Sequence, residues 1–359
     1  MASYFGENIR FSVFGESHGR GIGVVVDSLP AGEKIDLGAL DAFLSRRAPG
    51  RNDISTARQE PDSVEFLSGI VDGVTTGSPI AALIRNRDTR SGDYSDFANL
   101  PRPSHADFTA RRKFGPANDF RGGGHFSGRL TAPLCVAGGL CLQILARRGI
   151  TVGAHLAEVD GVPDRPFDPV SLDRETLLLA GRKPFPALDD AAGEQMRARI
   201  LEAGGEGDSV GGVIEVGAVG LPAGLGAPMF GGLEGRVAQA VFGVPGVRGV
   251  EFGTGFRAAR MRGSAHNDAF CLRDGEVRTQ TNHAGGVLGG ITSGMPVLFR
   301  VAMKPTASIA ARQNSVLLDE MRETTVEIRG RHDPCIAPRA VPVMEAVLAA
   351  VLLDMDQKE

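Results

Sequence analysis

Two segments far apart in the chain carry nearly the same sequence. Residues 73–80 read GVTTGSPI and residues 290–297 read GITSGMPV, so only Ser78 and Met295 differ in residue type. Each segment leads into an apolar run typical of a β-strand. A turn and strand repeated at this distance, not at the short period of a solenoid, predict two related halves that share one core. Because strands do not alternate regularly with helices, we expect an α+β fold and not a doubly wound parallel sheet.

The composition limits the class of protein. The chain has 359 residues, of which 42% are hydrophobic and 23% charged, a balance typical of globular proteins. A formal net charge of −4 does not favour a nucleic-acid-binding protein. The 49 glycines are about twice the usual share. They favour close approach of the backbone to other backbone or to a ligand.

Cysteine spacing and hydropathy indicate the compartment. Cys135, Cys141, Cys271 and Cys335 form no C-x-x-C pair, so we expect reduced, mostly buried thiols. No apolar run approaches the ~20 residues that a membrane span requires. Strand-like residues begin too early to leave room for a signal peptide. We therefore expect a cytoplasmic protein without a membrane segment.

Residues 15–19, GESHG, match the G-x-S-x-G nucleophile elbow of α/β-hydrolases. That turn requires a strand before the serine and a helix directly after it. Glycines and then the β-branched residues 24–26 follow, and these are poor helix formers, so we expect a second strand. The glycine spacing and the missing helix also argue against a dinucleotide-binding fingerprint. A glycine-flanked Ser17-His18 pair instead suits phosphate binding or proton transfer.

Hydrophobic patterning predicts the main elements. Strands are expected at 9–14 and 22–26, and Asp36 is the expected N-cap of a helix that ends in the sequence SRRAPG. The longest helix is expected at 127–148, apolar on nearly every side and therefore central. Further helices are expected at 194–203 and 335–354. The polar segment 86–124 is long for a connection and predicts an ordered, functional loop.

Three segments have the composition of anion sites, although each also suits a plain loop. Residues 121–129, RGGGHFSGR, bring glycines to the start of the central helix, where free amides and the dipole favour an anion. Residues 303–308, MKPTAS, end the second repeated strand with a cation and hydroxyls. Residues 329–335, RGRHDPC, place Asp333 among cations before the last helix, where it could equally be an N-cap. No His, Cys and carboxylate trio has metal-ligand spacing, so no metal is expected.

Further motifs occur in order along the whole chain. They are FSVFGESHGRGIGVVVDSLP, RRAPG, QEPD, SGIVDGVTTGSPI, RPSHADFT, GDSVGG, LPAGLGAP, GVRGVEFG, NHAGGVLGGITSG, KPTAS and GRHDPCIAPRAVPVMEA. Together they resemble the chorismate synthase family over essentially the full length. Ser28, Asp53 and the residues HFSGR at 125–129 depart from the family's usual Gly, cation and Arg-Ser-Ser-Ala-Arg.

This resemblance implies a lyase that converts 5-enolpyruvylshikimate 3-phosphate into chorismate by 1,4-anti elimination of phosphate. The reaction is the last common step of the shikimate pathway. It requires reduced FMN without net redox change, the flavin lending electron density and accepting a proton at N5. The resemblance also implies one domain over residues 1–359, with antiparallel sheets around central helices in two pseudo-symmetric halves, and a homotetramer.

Site residues follow from the same resemblance. His18, with Ser17 beside it, would assist the departing phosphate, His105 would protonate the flavin's N1 region, and Asp333 would help to remove the proton from N5. Arg47 and Arg129 would bind the substrate's phosphate and carboxylates, and Arg47 is also a candidate for contact with NADPH. The flavin contacts implied are His125, Phe126, Ser127, Gly246, Gly289, Lys304, Pro305, Thr306, Ala307, Ser308 and Arg331.

Alternatives remain open on the residues alone. A serine hydrolase with Ser17 as nucleophile and a non-catalytic protein that binds a phosphorylated metabolite are the rivals of the flavin-dependent lyase. The sequence also leaves open whether NADPH reduces the flavin on this enzyme or an external reductase does so.

Overall fold

Two antiparallel sheets enclose a layer of helices in the computed structural model, which describes residues 3–50, 54, 62–87, 97–328 and 332–356. The helices are α1 (Leu37–Arg47), α2 (Asp107–Phe114), α3 (Thr131–Arg147), α4 (Arg174–Leu179), α5 (Asp190–Gly205), α6 (Leu233–Phe242), α7 (Gly263–His266) and α8 (Ala337–Met355).

Within the described ranges, the strands are short and pair only with antiparallel neighbours. They are β1 (Tyr4–Phe5), β2 (Arg10–Gly15), β3 (Gly21–Asp27), β4 (Val64–Ser68), β5 (Ile70–Val71), β6 (Val74–Thr75), β7 (Ile80–Arg85), β8 (Thr151–Val159), β9 (Val162–Pro163), β10 (Gly212–Val219), β11 (Ala223–Gly226), β12 (Val247–Phe252), β13 (Phe270–Arg273), β14 (Glu276–Thr279), β15 (Val287–Leu288), β16 (Ile291–Ser293), β17 (Val297–Met303), β18 (Gln313–Leu317) and β19 (Arg322–Val326).

The two large sheets are built in the same way. The N-terminal sheet has the strand order β1-β2-β3-β7-β4, and the C-terminal sheet has the order β12-β17-β10-β8-β9. The chain order β2-β3-α1-β4-β7-α3 of the first half recurs as β8-β10-α6-β12-β17-α8 in the second. The strands that follow the repeated segments, β7 and β17, each lie second from an edge of their sheet. The predicted α+β fold with two related halves is therefore confirmed.

The core lies between the sheets, where α3 and α8 pack on each other. On the outer sides of this pair, α3 contacts β3 and β7 while α8 contacts β8 and β10. A Cβ atom at Gly138 of α3 would lie 2.3 Å from Cα of Ala346 in α8, so the close helix contact requires glycine there. One buried apolar cluster extends from Phe11 in β2 through both helices to Val301 in β17.

Helix boundaries confirm some expectations and correct others. Asp36 is the N-cap of α1, accepting a hydrogen bond from the Ala39 amide at 2.9 Å. Helix α5, Asp190–Gly205, is longer at both ends than the expected range 194–203. The segment 127–148 is not the longest helix, because a 3₁₀ turn occupies Gly128–Leu130. As a result α3 has 17 residues, whereas α8 has 19.

Among the described residues, one helical segment is long and apolar enough to be considered as a membrane span. This segment, Gly128–Arg147, would reach across a membrane by length and composition alone, so the expectation that no run approaches this length was wrong. Its most apolar stretch is 78% buried inside the protein, as expected of the core helix of a globular protein.

The polar segment 86–124 contains a helix where a loop was expected. Helix α2 spans residues 107–114 and ends at Gly115, which adopts a φ of 64° that favours glycine. Sequence patterning missed α2 because its residues, DFTARRKF, lack an apolar stripe long enough to be recognised. Residues 88–96 of this segment lie outside the described part of the chain.

The cysteines are free thiols in this structure, as expected, and three of them are buried. Burial raises the pKa of Cys135 and of Cys335 to about 12. Cys271 is partly exposed.

Candidate active site

Ser17 and His18 lie in the turn between β2 and β3. Both side chains are buried, with residue exposures of 1% and 8%. The Ser17 amide donates to the carbonyl of Gly124 at 3.1 Å, and the Asn86 side chain donates to two carbonyls of the turn. A strand beginning at Gly21, and not a helix, follows the serine. This arrangement rules out the nucleophile elbow.

A run of three glycines packs against the turn that carries Ser17 and His18. Gly122, Gly123 and Gly124 have φ angles of 60°, 84° and 56°, which side-chain-bearing residues rarely adopt. A Cβ atom at Gly122 would lie 2.5 Å from Cδ2 of His18 and 2.8 Å from Oγ of Ser17. The glycine run therefore lets two chain segments meet at the histidine.

A cavity of about 1110 Å³ opens beside this turn. The lining includes most of the side chains that the sequence analysis assigned: Ser17, His18, Arg47, His105, His125, Phe126, Ser127, Arg129, Gly246, Lys304, Pro305, Thr306, Ala307, Ser308 and Asp333. Gly289 does not line the cavity, since it lies in the turn between β15 and β16. Arg331 lies outside the described residues.

The cavity wall combines apolar surface with unsatisfied polar atoms. Leu134, Ile336 and Val343 contribute apolar surface that suits a planar aromatic ring. The buried hydroxyls of Ser17 and Thr306 have no hydrogen-bond partner among the described residues. Buried hydroxyls are normally satisfied, so these two fit a site that completes its hydrogen bonds with a polar ligand. Among all the residues that the structure describes, no group of three or more His, Cys, Asp or Glu side chains could hold a metal ion.

A buried carboxylate joins two of the arginines at the cavity. Asp62, 2% exposed, accepts from Nη1 of Arg47 at 2.5 Å and from Nη1 of Arg129. Burial opposes ionisation of Asp62, but the two guanidinium groups outweigh it and lower the pKa of this carboxyl. Arg47 also donates to Thr131 Oγ1 at 3.1 Å. Two cations with one carboxylate leave net positive charge at the wall.

Asp333 forms an ion pair and does not cap a helix. Its Oδ2 lies 2.5 Å from Nη1 of Arg339, on the first turn of α8. Helix α8 begins at Ala337, its N-cap position is Ile336, and no side chain caps it. The N-cap alternative for Asp333 is therefore wrong. Arg339 Nε donates to the Arg47 carbonyl at 2.9 Å, so this cation also lies beside the arginine pair.

His105 lies within a network of charged groups. Its Nδ1 is 2.6 Å from Oδ1 of Asp107, and Arg102 donates to both oxygens of that carboxylate at 2.8 Å. Burial lowers the pKa of His105 below its usual value, and the charges of Arg102 and Lys304 lower it further. The hydrogen bond with Asp107 acts in the opposite direction but does not outweigh them. Burial opposes the charge on Asp107, but the bonds from Arg102 and His105 hold its pKa well below the usual range.

The segment after β17 contacts the His105 loop. Nζ of Lys304 donates to the carbonyl and, at 3.1 Å, to Oγ of Ser104. Burial and the charge of Arg248 lower the pKa of Lys304. At the end of the same segment, Ser308 Oγ accepts from Arg102 at 3.2 Å. The strand end and the loop therefore form one wall of the cavity.

His125 is held by the protein at both ring nitrogens. Nδ1 lies 2.8 Å from the carbonyl of Gly15, and Nε2 lies 2.8 Å from Oγ of Ser3. Ser127 Oγ accepts from the Arg129 amide at 3.3 Å in the 3₁₀ turn before α3. His125 therefore links the glycine-rich segment to β2.

The sequence analysis missed several charged groups of this site. Asp62 ends the QEPD motif, Arg102 and Asp107 flank His105 in RPSHADFT, and Arg339 lies in the last helix. All four belong to motifs that were noted, but spacing alone does not show which charges turn inward. An Asp or Arg inside a polar run most often faces water.

Buried cations around a large cavity, with titratable side chains in the same wall, are typical of enzymes that act on anionic small molecules. Comparison with known proteins identifies the family of this chain. The family model for chorismate synthase matches residues 9–356. The chain therefore belongs to the chorismate synthase family, lyases of aromatic amino acid biosynthesis that act on the shikimate pathway and use reduced flavin.

Individual relatives agree over nearly the whole chain. A chorismate synthase from Pyrococcus abyssi is 48% identical, covering 97% of this chain and 96% of the relative. One from Korarchaeum cryptofilum is 45% identical, covering 98% and 96%. A crystal structure of chorismate synthase superposes with a TM-score of 0.75 at 30% identity, covering 98% of this chain and 92% of that one.

Proposed function

We propose that this cavity binds 5-enolpyruvylshikimate 3-phosphate beside reduced FMN, and that the residues of its wall carry the 1,4-anti elimination. One observation supports this above others. A single cavity is lined by the acid–base groups His18, His105 and Asp333 together with the arginine pair Arg47 and Arg129. A substrate with a phosphate and carboxylates needs such fixed cations, and a proton-coupled elimination needs such groups.

In this proposal the arginine pair holds the substrate's anionic groups. Asp62 holds both guanidinium groups on the same side of the cavity wall. Guanidinium is planar and has more N–H donors than these contacts use, so it can still bind a carboxylate or phosphate at two points. The buried position of Arg47, 4% exposed, favours the substrate over a large nicotinamide cofactor as its ligand. Its contact with NADPH stays a secondary proposal.

His18 is proposed to hold a proton at the oxygen of the departing phosphate. The imidazole is buried beside Gly122, and the hydroxyl of Ser17 lies at the same wall. A proton or hydrogen bond at this position stabilises the negative charge that grows as the C–O bond breaks. Ser17 supports the phosphate as a hydrogen-bond donor and makes no covalent bond.

Reduced FMN, when bound, supplies transient electron density and a proton-accepting nitrogen. We assign its binding to residues 125–127, which follow the three glycines, to Gly246, and to residues 304–308, with Arg331 as a further contact. The unpartnered hydroxyl of Thr306 supports this assignment. His105 is assigned to proton donation at the N1 region of the flavin.

Asp333 is proposed to receive a proton released during the elimination. Its Oδ2 pairs with Nη1 of Arg339 at 2.5 Å, and a carboxylate has oxygens that can accept a proton. The side chain of Asp333 is 10% exposed, so water has little access to the proton once it is transferred.

A homotetramer built from single-domain subunits is our proposal for the assembly. Large apolar side chains are exposed at Met229, Phe230 and Phe256, at 81%, 93% and 86%. Such surface is unusual for a monomer and is typical of subunit interfaces. Gly289, next to the partly exposed Leu288, would then reach a flavin only from a neighbouring subunit.

The buried cluster that crosses both sheets supports a single domain, and the free thiols support a cytoplasmic location.

The test is a single-turnover reaction under anaerobic conditions. Protein, reduced FMN and 5-enolpyruvylshikimate 3-phosphate are mixed, and chorismate and free phosphate are measured, with and without NADPH as the only reductant. Formation of both products in equal amounts supports the proposal. Flavin binding without turnover would favour a metabolite-binding protein, and labelling of Ser17 by a fluorophosphonate would favour a hydrolase.

A further inference from the structure

We infer that Asp107 is a positioning residue for His105: it holds the imidazole hydrogen on Nδ1 and leaves Nε2 to exchange a proton with whatever occupies the cavity. The expected effect on turnover rests on the proton transfer proposed above for His105. The tautomer itself is a property of the protein alone.

The hydrogen-bond geometry fixes the tautomer. Nδ1 of His105 lies 2.6 Å from Oδ1 of Asp107. A carboxylate only accepts hydrogen bonds, so the hydrogen between these atoms belongs to Nδ1. Nη2 of Arg102 is within hydrogen-bond distance both of the same nitrogen, at 3.1 Å, and of Oδ1 of Asp107, at 2.8 Å. We assign the hydrogen to Nδ1 because the carboxylate contact is the shorter one, and two bare acceptors would repel each other at 2.6 Å. A neutral His105 therefore keeps its lone pair on Nε2.

The free nitrogen lies at the cavity wall. A Cβ atom at Gly123 would be 3.2 Å from Nε2, so this edge of the ring lies against the glycine-rich segment. His105 and the neighbouring Ser127 both line the cavity. Because Nδ1 is turned toward Asp107, a ligand in the cavity would meet the Nε2 edge of the ring.

Asp107 is itself held rigidly, which makes it suitable for this role. One oxygen accepts from the amide and from Nε of Arg102, at 3.0 Å and 2.8 Å. The guanidinium group of Arg102 lies 4.6 Å from the ring centre of Phe97 and also donates to Ser308. Arg102 and Asp107 are 5% and 3% exposed. A carboxylate held at so many points orients the imidazole with little freedom.

The charges around His105 suit a group that gains its proton only when an anion binds. The charged groups next to the ring are Asp107, Arg102 and Lys304. Two cations and one carboxylate, together with burial, favour the neutral ring in the empty site. An anionic ligand would shift this balance, and Asp107 would then stabilise the imidazolium formed by a proton taken up from water.

The experiment is solid-state ¹⁵N NMR of histidine-labelled protein, in which the two neutral tautomers give distinct nitrogen shifts. His105 is assigned by its loss in His105→Gln. In the wild-type protein without ligand, the Nδ1–H form is expected, and an Nε2–H form would overturn the inference.

Asp107→Asn tests the carboxylate directly. The amide oxygen should take the position that accepts two bonds from Arg102, which turns the NH₂ group toward Nδ1 of His105. The Nε2–H tautomer is then expected, and turnover should fall about 10²- to 10⁴-fold. Asp190→Asn is the matched control, since Asp190 also begins a helix and pairs with a cation, Lys183, outside the cavity. It should change neither property.

The two levels of the proposal fail differently. An unchanged tautomer in folded Asp107→Asn would overturn the positioning role. A reversed tautomer with normal turnover would leave the positioning role intact and would remove the proposed proton transfer by His105. If both change, the upper limb of the pH profile of turnover should also move to lower pH, because the carboxylate no longer stabilises the imidazolium.

Discussion

Gly122 lies so close to His18 that a Cβ atom on it would be 2.5 Å from the imidazole Cδ2. The contact joins the turn after β2 to the glycine-rich segment before α3. Because Gly122 also has a φ of 60°, this position combines two separate demands for glycine: backbone conformation and space.

Substitution Gly122→Ala should therefore displace His18 and reduce turnover strongly, by about 10²-fold or more if His18 assists the phosphate. Gly149→Ala is the matched control, since Gly149 has a φ of 82° but nothing within 4 Å of the position that a Cβ atom would take. Both variants should lose about 1–2 kcal/mol of stability to the left-handed backbone. Thermal unfolding and single-turnover rates separate the two effects. Equal turnover in the two variants would contradict the role of this contact.

Arg129→Gln should weaken substrate binding more than it slows the chemical step. Charge-assisted hydrogen bonds contribute about 1.5–3 kcal/mol, so the apparent affinity should fall about 10- to 150-fold. Added salt should weaken binding of substrate to the wild-type protein in the same direction. The control is Arg147→Gln, which removes an exposed cation paired with Glu33. A KM equal to that of the wild type would place the anion site elsewhere.

His155 should make stability depend on pH. Its two ring nitrogens lie 2.9 Å from Asp164 and 3.0 Å from Glu215, and the ring is fully buried. Burial alone would lower the pKa of His155, but the bonds to the two carboxylates outweigh it and raise the pKa. A raised pKa means that the stabilisation is complete below the unfolded value of about 6.5 and is lost as pH rises through the folded pKa.

Urea unfolding at pH 6 and pH 8 checks this expectation. The wild type should lose more free energy of unfolding between these values than His155→Gln, because the variant has no proton to release. His266→Gln, which removes a ring bonded to Thr254 and not to a carboxylate, should keep the pH dependence of the wild type. If His155→Gln keeps it as well, the buried imidazole is neutral.

Sequence patterns predicted the parts of the fold that depend on local chemistry. The strands around Ser17, the Asp36 cap and the two related halves each follow from short-range features: glycines before β-branched residues, an Asp before an apolar stripe, and a repeated turn. Helix α2 could not be found in this way. Its first residue, Asp107, is buried in an ion pair with Arg102, which also bonds Ser308 after β17, and such tertiary contacts leave no periodic pattern in the sequence.

Only part of the candidate site was predicted from the sequence, because some of its side chains are placed by tertiary contacts. Side chains within recognisable motifs, such as His18 and Thr306, were assigned and line the cavity. The carboxylates behind them were not, since Asp62 acts on arginines that are distant in sequence and Asp107 acts on a histidine whose orientation is set by tertiary contacts. Gly289 remains a prediction that a single chain does not test.

Asp333→Asn should fold and bind FMN but lose much of its elimination rate. The carboxylate is paired with Arg339 at 2.5 Å and does not cap α8, so the substitution removes a charge without removing a helix cap. An amide keeps the size and one oxygen of Asp333 but accepts no proton at neutral pH. The chemical step should therefore slow while KM stays the same or falls, because Arg339 becomes more available to an anion.

The control is Asp36→Asn, which changes a carboxylate that does cap a helix. Asn is as good an N-cap as Asp, so that variant should keep both stability and turnover. Thermal midpoint, FMN affinity and the anaerobic single-turnover rate are measured on the same preparation of each variant. A loss of FMN affinity in Asp333→Asn would mean that the ion pair shapes the flavin pocket. A normal single-turnover rate would show that the proton leaves the cavity by another group.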